Sequence, residues 1–268
     1  MSDKSSGIGI FDSGVGGLTV LQSIKKRLPK ETLIYFGDTA RVPYGTKSTE
    51  TVTKFARQDI HFLMSQGVKM IVAACNTASA LALDTLKKEI DIPIIGVIEP
   101  GAKGAVAASL NKKIGVIGTE ATINSDAYSL AIRRIDKYIS VVSHACPLFV
   151  PMAEEGWGEH RIAKIAAEEY LSVMKGKVDT IVLGCTHYPL LKKTISKVVG
   201  KGVTLVDSAE ETAKEVERCL AELNLLSDRT GASSFYVSDN PNRFKLVGDN
   251  FLGNGSIGRV DKIDIDTF

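Results

Sequence analysis

The feature that most constrains the fold of this chain is the alternation of short apolar runs with longer stretches of helical spacing. Short runs rich in β-branched residues are typical of buried strands, whereas apolar residues three or four positions apart are typical of helices. Alternating strands and helices predict a parallel sheet that helices cover on both faces. In such a sheet, right-handed crossovers bring the carboxyl ends of the strands to one edge, where ligands bind.

The predicted strands fall into two sets of similar layout. The first set covers residues 8–11, 33–36, 69–73 and 94–97, and the second covers 114–117, 139–143, 180–183 and 204–206. Predicted helices lie at 48–66, 78–89, 124–135, 159–175 and 209–225, and the tail adds a strand at 235–237 and a helix near 242–251. We therefore predict an α/β fold of two similar βα lobes with mainly parallel sheets and an active-site cleft between them. The first lobe is residues 7–97 plus 209–268, and the second is 98–208.

Two cysteine motifs follow apolar runs at matching places in the two predicted lobes. Cys75 is followed by Asn76 and Thr77, and Cys185 is followed by Thr186 and a histidine. A single cysteine at a strand end is most often part of the core. Two in matching positions, each with polar neighbours, indicate paired thiols that face one ligand and move a proton on or off carbon from opposite sides.

Both motifs lie where a helix is predicted to begin. A helix N-terminus stabilises a thiolate, so we expect the thiol pKa to fall below its free value of about 8.5. The unpaired N–H groups of a first helical turn also bind carboxylate oxygens. Cys146 and Cys219 lack such neighbours and are predicted to be structural.

Two further loops are candidates for substrate binding. Asp12 and Ser13 end the first predicted strand, before a glycine-rich turn that matches neither a dinucleotide fingerprint nor a P-loop. The alternative is a plain turn in which Asp12 caps the next helix. Tyr44 and Gly45 follow the second strand, where they can contact a substrate carboxylate or can form a purely structural loop.

The same side chains allow a metal site as an alternative. Cys75, His144, Cys185 and His187 are four possible zinc ligands, but structural zinc sites usually contain two close ligand pairs, and only Cys185 and His187 are close. The pattern favours acid/base use of the thiols without a metal. Glu154 is able to orient His187 or to bind an ammonium group, and a solvated face is its alternative.

Charge and hydropathy exclude several classes of partner. The net charge is +2, with basic residues scattered along the chain, so no nucleic-acid partner is expected. No apolar run approaches the roughly 20 residues of a membrane span, and the polar start has no signal-peptide core. We expect a cytoplasmic protein without a membrane partner.

At these motifs the sequence resembles the glutamate racemase family. His187 favours this family over aspartate racemases, which typically carry an acidic residue after Cys-Thr. The Cys-Asn-Thr piece alone fits the wider amino-acid racemase superfamily. The resemblance runs from about Gly7 to Asp207, more loosely through the tail, and is carried by four segments: Asp12-Ser13-Gly14-Val15-Gly16-Gly17, Gly37-Asp38-Thr39-Ala40-Arg41-Val42-Pro43-Tyr44-Gly45, Ala74-Cys75-Asn76-Thr77-Ala78 and Gly184-Cys185-Thr186-His187-Tyr188-Pro189-Leu190.

The resemblance implies a cofactor-independent interconversion of L- and D-glutamate, which supplies D-glutamate for peptidoglycan synthesis. It implies that Cys75 acts on the D enantiomer, assisted by Asp12, and that Cys185 acts on the L enantiomer. His187, with Glu154 behind it, would assist Cys185. A homodimer is expected. The implied substrate-binding residues are Asp12, Ser13, Tyr44, Gly45, Asn76, Thr77, Thr186 and His187.

Three alternatives remain open at this point. Within enzymes, the chain fits an aspartate or hydantoin racemase, or a related decarboxylase that uses fewer cysteines. Outside enzymes, two α/β lobes with a cleft fit an amino-acid-binding protein. A protein that only binds its ligand has no need of two apposed thiols, which favours an enzyme.

Overall fold

The structure is a computed structural model that describes residues 3–253 and 255–268. The first part of the chain forms β1 (Ile8–Asp12), α1 (Leu18–Arg27), β2 (Leu33–Gly37), α2 (Thr49–Ser65), β3 (Met70–Ala73), α3 (Asn76–Leu81), α4 (Leu83–Leu86) and β4 (Ile94–Gly96). The second part forms α5 (Ile98–Ala108), β5 (Lys113–Gly118), α6 (Glu120–Asn124), α7 (Ala127–Ile135), β6 (Ser140–Ala145), α8 (Phe149–Glu154), α9 (Arg161–Leu171), β7 (Thr180–Gly184), α10 (Lys192–Val199) and β8 (Thr204–Asp207). The last part forms α11 (Ser208–Glu222), β9 (Ser233–Val237), α12 (Pro241–Leu252) and β10 (Val260–Lys262). Single 3₁₀ turns cover Tyr44–Thr46, Tyr188–Leu191 and Ile265–Thr267.

The strands form two parallel sheets, as the alternation of elements predicts. The first sheet has six strands in the order β10-β9-β2-β1-β3-β4, and the second has four in the order β6-β5-β7-β8. Every neighbouring pair is parallel. We call the first sheet with its helices the first lobe, and the second sheet with its helices the second lobe. The predicted α/β fold is confirmed.

The central strands of each sheet are buried on both faces, which explains their continuous apolar sequences. All residues of β1 and of β7 are buried. Ile10 packs into the cluster on one face of the first sheet, and its neighbour Phe11 packs into the cluster on the other face. In the second sheet Val182 and Leu183 divide in the same way. Burial of each such side chain contributes about 1.5–3 kcal/mol, so both faces stabilise the fold.

The structure corrects some of the predicted elements. The predicted helix at 78–89 is two short helices, α3 and α4, and the first of them begins two residues earlier, at Asn76. The helix at 209–225 ends at Glu222 because Asn224 adopts a left-handed backbone with φ of 56°. The tail strand is longer than predicted, and the sequence did not reveal β10, which has only three residues, two of them charged.

The topology brings both cysteine motifs to the carboxyl edges of their sheets. Cys75 lies just beyond β3, and Cys185 lies just beyond β7. Helix α11 packs against α1 of the first lobe and against α5, so it joins the two halves of the molecule. Among the described residues, no helix combines the length and the apolar character that crossing a membrane requires.

Candidate active site

Cys75 is the N-terminal cap of α3 in the first lobe. Its side chain is 5% exposed, and the Ala78 N–H donates to its sulfur at 3.5 Å. The Cys75 thiol lies 3.8 Å from Ser13 Oγ and donates toward it. The structure therefore brings together Ser13 and Cys75, which the sequence predicted to share a site.

Cys185 begins the corresponding turn in the second lobe, and a histidine lies directly against it. Cys185 is 6% exposed, and its Sγ lies 3.8 Å from His187 Nδ1. His187 Nε2 lies 3.1 Å from Glu154 Oε1, at the end of α8. The His187 imidazole therefore lies between the Cys185 thiol and the Glu154 carboxylate. Glu154 is placed behind His187 and does not belong to a solvated face.

The two lobes meet beside these cysteines. Thr186 Oγ1 donates to Asp12 Oδ1 at 3.4 Å, and Thr19 Oγ1 donates to the Thr186 carbonyl at 3.2 Å. Gly16 of the first lobe packs directly on Thr186 and His187, and a Cβ on this glycine would overlap both side chains. The glycine-rich turn therefore allows the close approach of the second lobe.

The pKa of Cys75 differs from the sequence prediction. Burial raises this pKa, the charge of Asp12 raises it further, and the Ala78 N–H lowers it too little to compensate, so it reaches about 12. The expected fall is wrong for Cys75 because desolvation of a buried thiolate outweighs a single helix-end donor. The charge of Cys185 adds to the rise, so the two sulfurs lie within electrostatic range of each other.

His187 has the opposite balance. Burial lowers its pKa, but hydrogen bonds to Cys185 and Glu154, together with the charges of Cys185 and Asp12, raise the net pKa to about 10. The hydrogen bond from His187 lowers the pKa of Glu154. The raised pKa of His187 and the lowered pKa of Glu154 favour a proton on the imidazole, whose Nδ1 lies against the Cys185 sulfur.

Asp12 is a buried carboxylate at the centre of the lobe contact. It is 1% exposed, and its Oδ2 accepts the Gly14 N–H at 3.0 Å. Burial raises its pKa, and the charge of His187 opposes the rise. Helix α1 begins at Leu18 with Gly17 in the cap position, so Asp12 does not cap that helix. This geometry supports a role in the site over the plain-turn alternative.

Asn76 supplies an unused hydrogen-bond donor. It is 3% exposed, and its Oδ1 accepts a 2.7 Å hydrogen bond from the Tyr128 hydroxyl of the second lobe. Among the described residues, nothing accepts a hydrogen bond from its Nδ2. A buried polar atom without a partner is costly, and such an atom beside a thiol indicates a place for a ligand oxygen.

Three threonine hydroxyls form a cluster across the lobe contact. The Thr77 hydroxyl lies 3.0 Å from that of Thr119 and 3.4 Å from that of Thr122. Gly45 packs against Thr119 from the first lobe. The sequence analysis missed Thr119 and Thr122. Both threonines follow the carboxyl end of β5, just as Asp12 lies at the carboxyl end of β1. Polar residues at the ends of parallel strands often form binding sites, so this signal in the sequence could have identified them.

The Tyr44 side chain is already engaged within the first lobe. Its hydroxyl donates to Asp38 Oδ2 at 2.5 Å and lies 3.0 Å from Asp59 Oδ2. Arg41 forms ion pairs with both carboxylates, at 2.6 and 3.0 Å. This buried network of side chains fixes the loop that carries Tyr44 and Gly45.

The ligand set considered for zinc is not assembled. Across residues 3–253 and 255–268, no group of three or more His, Cys, Asp and Glu side chains is placed to hold a metal ion. The His144 ring packs against Tyr170, with ring centres 5.8 Å apart. Cys146 is buried in the second lobe, and Cys219 is partly buried on α11.

Comparison with known proteins gives consistent matches over nearly the whole chain. Residues 8–216 match the family model described as Asp/Glu/Hydantoin racemase. A glutamate racemase of Geobacter metallireducens is 54% identical over 262 residues, which cover 97% of each chain. The crystal structure of a glutamate racemase isoform from Bacillus anthracis superposes with a TM-score of 0.94 at 41% identity and covers 97% of this chain and 98% of that one. The crystal structure of glutamate racemase from Francisella tularensis in complex with D-glutamate has a TM-score of 0.91 at 42% identity, over 99% and 100% of the two chains.

Proposed function

This chain belongs to the Asp/Glu/Hydantoin racemase family, and within it to the glutamate racemases, and from that premise we propose that it interconverts L- and D-glutamate with two cysteines. One observation carries the mechanism. A buried thiol from each lobe lies just beyond the carboxyl end of a parallel strand, and the two lobes are joined beside these thiols by the hydrogen bond from Thr186 to Asp12. One thiol removes the α-proton from one face of the substrate, while the other delivers a proton to the opposite face.

The L-to-D direction begins with Cys185 as a thiolate. The His187 imidazolium, 3.8 Å from Cys185 Sγ, stabilises that thiolate and is itself held by Glu154. Cys185 takes the α-proton of L-glutamate, and the Cys75 thiol donates its proton to the other face. The raised pKa of Cys75 keeps this thiol protonated until the carbanion forms.

The D-to-L direction requires Cys75 as the base. The buried Asp12 carboxylate raises the pKa of Cys75 and so makes its thiolate a stronger base. The α-ammonium of a bound substrate offsets the negative charge of Asp12 and of the thiolate. The substrate itself therefore helps to ionise Cys75 after it enters the site.

The difficult part of the reaction is the charge that develops on the α-carbon. A turnover of about 10 per second allows a barrier of only about 16 kcal/mol. Donors that are already fixed in a dry site stabilise such charge most effectively. The Asn76 Nδ2 and the Thr77, Thr119 and Thr122 hydroxyls supply them at the lobe contact. We assign the remaining contacts to Ser13, Thr186 and the backbone of Tyr44 and Gly45.

We propose glutamate as the preferred substrate over aspartate. The His187 form of the second motif and the match to glutamate racemases support this choice. Removing one methylene would leave the distal carboxylate and its donors unpaired, at a cost of about 1–3 kcal/mol per buried group. A purified sample should therefore show a kcat/KM for L-aspartate at least about tenfold below that for L-glutamate, and equal values would refute the preference.

The biological setting belongs to the same proposal. We propose that the protein works in the cytoplasm as a homodimer, without a cofactor, and that its D-glutamate enters peptidoglycan synthesis. Dialysis against EDTA should leave activity unchanged, and light scattering should give twice the chain mass of 28.8 kDa. Loss of activity on metal removal would favour a metal-dependent reaction.

The decisive experiment follows the α-hydrogen in D₂O. L-glutamate is incubated briefly with the protein, and both enantiomers are separated and analysed by mass spectrometry. With two bases, the early D-glutamate carries solvent deuterium, because Cys75 has exchanged its proton before the substrate binds. The unreacted L-glutamate stays mostly protiated. Early D-glutamate that retains its original α-hydrogen would show a single base and would overturn the mechanism.

A further inference from the structure

Tyr128 contacts the residue next to each of the two cysteines. It belongs to α7 of the second lobe and is 2% exposed. Its hydroxyl donates to Asn76 Oδ1, directly after Cys75. Its ring lies so close to Gly184, directly before Cys185, that a Cβ there would be 3.0 Å from a ring carbon. One side chain therefore spans the distance between the two cysteine motifs.

The hydrogen bond from Tyr128 determines how the Asn76 amide is turned. With Oδ1 held by the Tyr128 hydroxyl, the Nδ2 of Asn76 is directed elsewhere, and among the described residues nothing accepts from it. An amide rotated by half a turn would place a donor against the Tyr128 hydroxyl and an acceptor toward the cleft. A carboxylate is an acceptor only, so the observed orientation suits it and the rotated one repels it.

Ser208 packs beside the Tyr128 hydroxyl on the side of α11. Ser208 begins α11, is 3% exposed, and lies with the Tyr128 hydroxyl at the same point over Gly101. Burial raises the pKa of Tyr128, so the phenol keeps its proton. The Tyr128 hydroxyl donates that proton to Asn76 Oδ1, and among the described residues the Asn76 Nδ2 remains as the unused donor.

We propose that Tyr128 is a positioning residue for racemisation. Its hydroxyl orients the Asn76 amide so that Nδ2 donates to a carboxylate of the amino acid. The same side chain holds the Cys75 motif next to the Cys185 motif. The inference rests on the proposed function, since it takes an amino-acid carboxylate as the acceptor. Tyr128 acts through Asn76 and touches neither the substrate nor a reacting atom. Both consequences follow from a single hydroxyl, so removing it tests them together.

The test compares Tyr128→Phe, Asn76→Ala and the double variant, with kcat and KM measured for L- and D-glutamate. Tyr128→Phe keeps the ring against Gly184 and removes only the hydroxyl. We expect KM to rise about tenfold with a smaller fall in kcat, because the lost interaction is one hydrogen bond to a charged group. In the Asn76→Ala background, Tyr128→Phe should have little further effect on KM, because the group through which it acts is gone.

Two further variants separate positioning from loss of stability. Thr194→Val also removes a buried hydroxyl from the second lobe, one that donates to the Gly158 carbonyl at 2.6 Å. It should lower Tm to a similar extent and leave KM unchanged. Ser208→Ala keeps Tyr128 and removes the hydroxyl that packs beside its phenol, so it should raise KM, but less than Tyr128→Phe does. This variant also provides the test if Tyr128→Phe does not fold.

Calorimetric binding of L-glutamate distinguishes failure of this inference from failure of the proposed function. A wild-type protein that binds glutamate without racemising it would refute the function, while the ratio of Kd values between wild type and Tyr128→Phe would still measure the effect of Tyr128. An unchanged KM and Kd in a folded Tyr128→Phe variant would overturn the inference. So would effects of Tyr128→Phe and Asn76→Ala that multiply in the double variant. A wild-type protein that does not bind glutamate would overturn both.

Discussion

The two cysteines occupy matching positions in the two lobes but have different surroundings. Cys75 caps a helix, contacts a serine hydroxyl, and lies near a buried carboxylate. Cys185 precedes a 3₁₀ turn and contacts His187, which Glu154 holds from behind. The negative charge of Asp12 raises the pKa of Cys75, whereas Cys185 lies against His187, whose own pKa is raised. We therefore propose that the two thiols do not play identical parts in the reaction.

This difference shows that a reaction with mirror-image ends does not need a symmetric site. L- and D-glutamate have equal free energy in water, so their equilibrium constant is one and the two values of kcat/KM must be equal. The surroundings of each thiol can differ because only the overall free-energy change between L- and D-glutamate is fixed. The free energy of each separate proton transfer is not. Changes on one side should therefore alter kcat and KM separately in each direction while kcat/KM falls equally in both.

The largest effect is expected from removing either thiol. Cys75→Ala and Cys185→Ala each remove one proton-transfer group, so racemisation should fall by at least about 10³-fold in both directions. Cys146→Ala and Cys219→Ala are matched controls that remove a thiol outside the proposed chemistry, and they should retain most activity. Circular dichroism checks that each variant folds. Substantial racemisation by Cys75→Ala or Cys185→Ala would show that the replaced thiol is not a proton-transfer group.

The next largest effect is expected from the charged neighbours. Asp12→Asn and His187→Asn each remove a charge that acts on one thiol, and kcat/KM should fall by about 10- to 100-fold, as expected for a buried hydrogen bond to a charged group. The two variants should differ in how kcat and KM share this loss in each direction. Identical kinetic parameters for both would show that the surroundings of the thiols are equivalent after all.

Asp12→Asn also makes a spectroscopic prediction. Because the charge of Asp12 raises the pKa of Cys75, its removal should lower that pKa below about 12. Titration of thiolate ultraviolet absorbance in a Cys185→Ala background measures the shift, with the parent single variant as control. An unchanged titration would mean that burial alone sets the basicity of Cys75.

A smaller effect is expected from Glu154→Gln. The Glu154 side chain is 25% exposed, so solvent weakens its ion pair with His187, and glutamine retains a hydrogen-bond acceptor. We expect a loss of kcat/KM of only about two- to fivefold, and a lower pKa for His187 by NMR titration. A loss as large as that of His187→Asn would show that the carboxylate takes a direct part in the reaction.

The last prediction concerns the stability of the fold as a function of pH and does not concern the reaction rate. The pKa of His187 is about 10 in the folded protein and about 6.5 in an unfolded chain. Its protonated form therefore stabilises the fold fully below pH 6.5, and this contribution is lost as the pH rises toward 10. The difference in unfolding free energy between wild type and His187→Asn, from urea titrations, should shrink over this interval. A constant difference would mean that the imidazole is neutral in the fold.

The sequence predicted most of the fold and the two cysteine motifs, and the family resemblance is confirmed. Strand alternation is a strong signal because both faces of each sheet are buried, which requires continuous apolar runs. The positions of Asp12 and Cys75 follow from the same rule, since polar residues just beyond parallel strands meet at one edge. Those predictions depended on topology alone.

The parts that the sequence did not reveal depend on distances between the lobes. Tyr128 lies in an ordinary helical pattern, and only the packing of α7 brings its hydroxyl to Asn76. The pKa of Cys75 was predicted in the wrong direction because a helix N-terminus is visible in the sequence, whereas complete burial and the proximity of Asp12 are not. The net pKa of a buried group depends on its burial and on the distances to its charged neighbours, and predicting it therefore requires the coordinates.

The close contact of the lobes around Gly16 also bears on how readily the two thiols are oxidised. Oxidation of a thiol requires both ionisation and access, and Cys75 and Cys185 are about 95% buried. Dissolved peroxide therefore has little access to either sulfur. The packing that brings the two lobes together thus also protects the thiols from chemical damage.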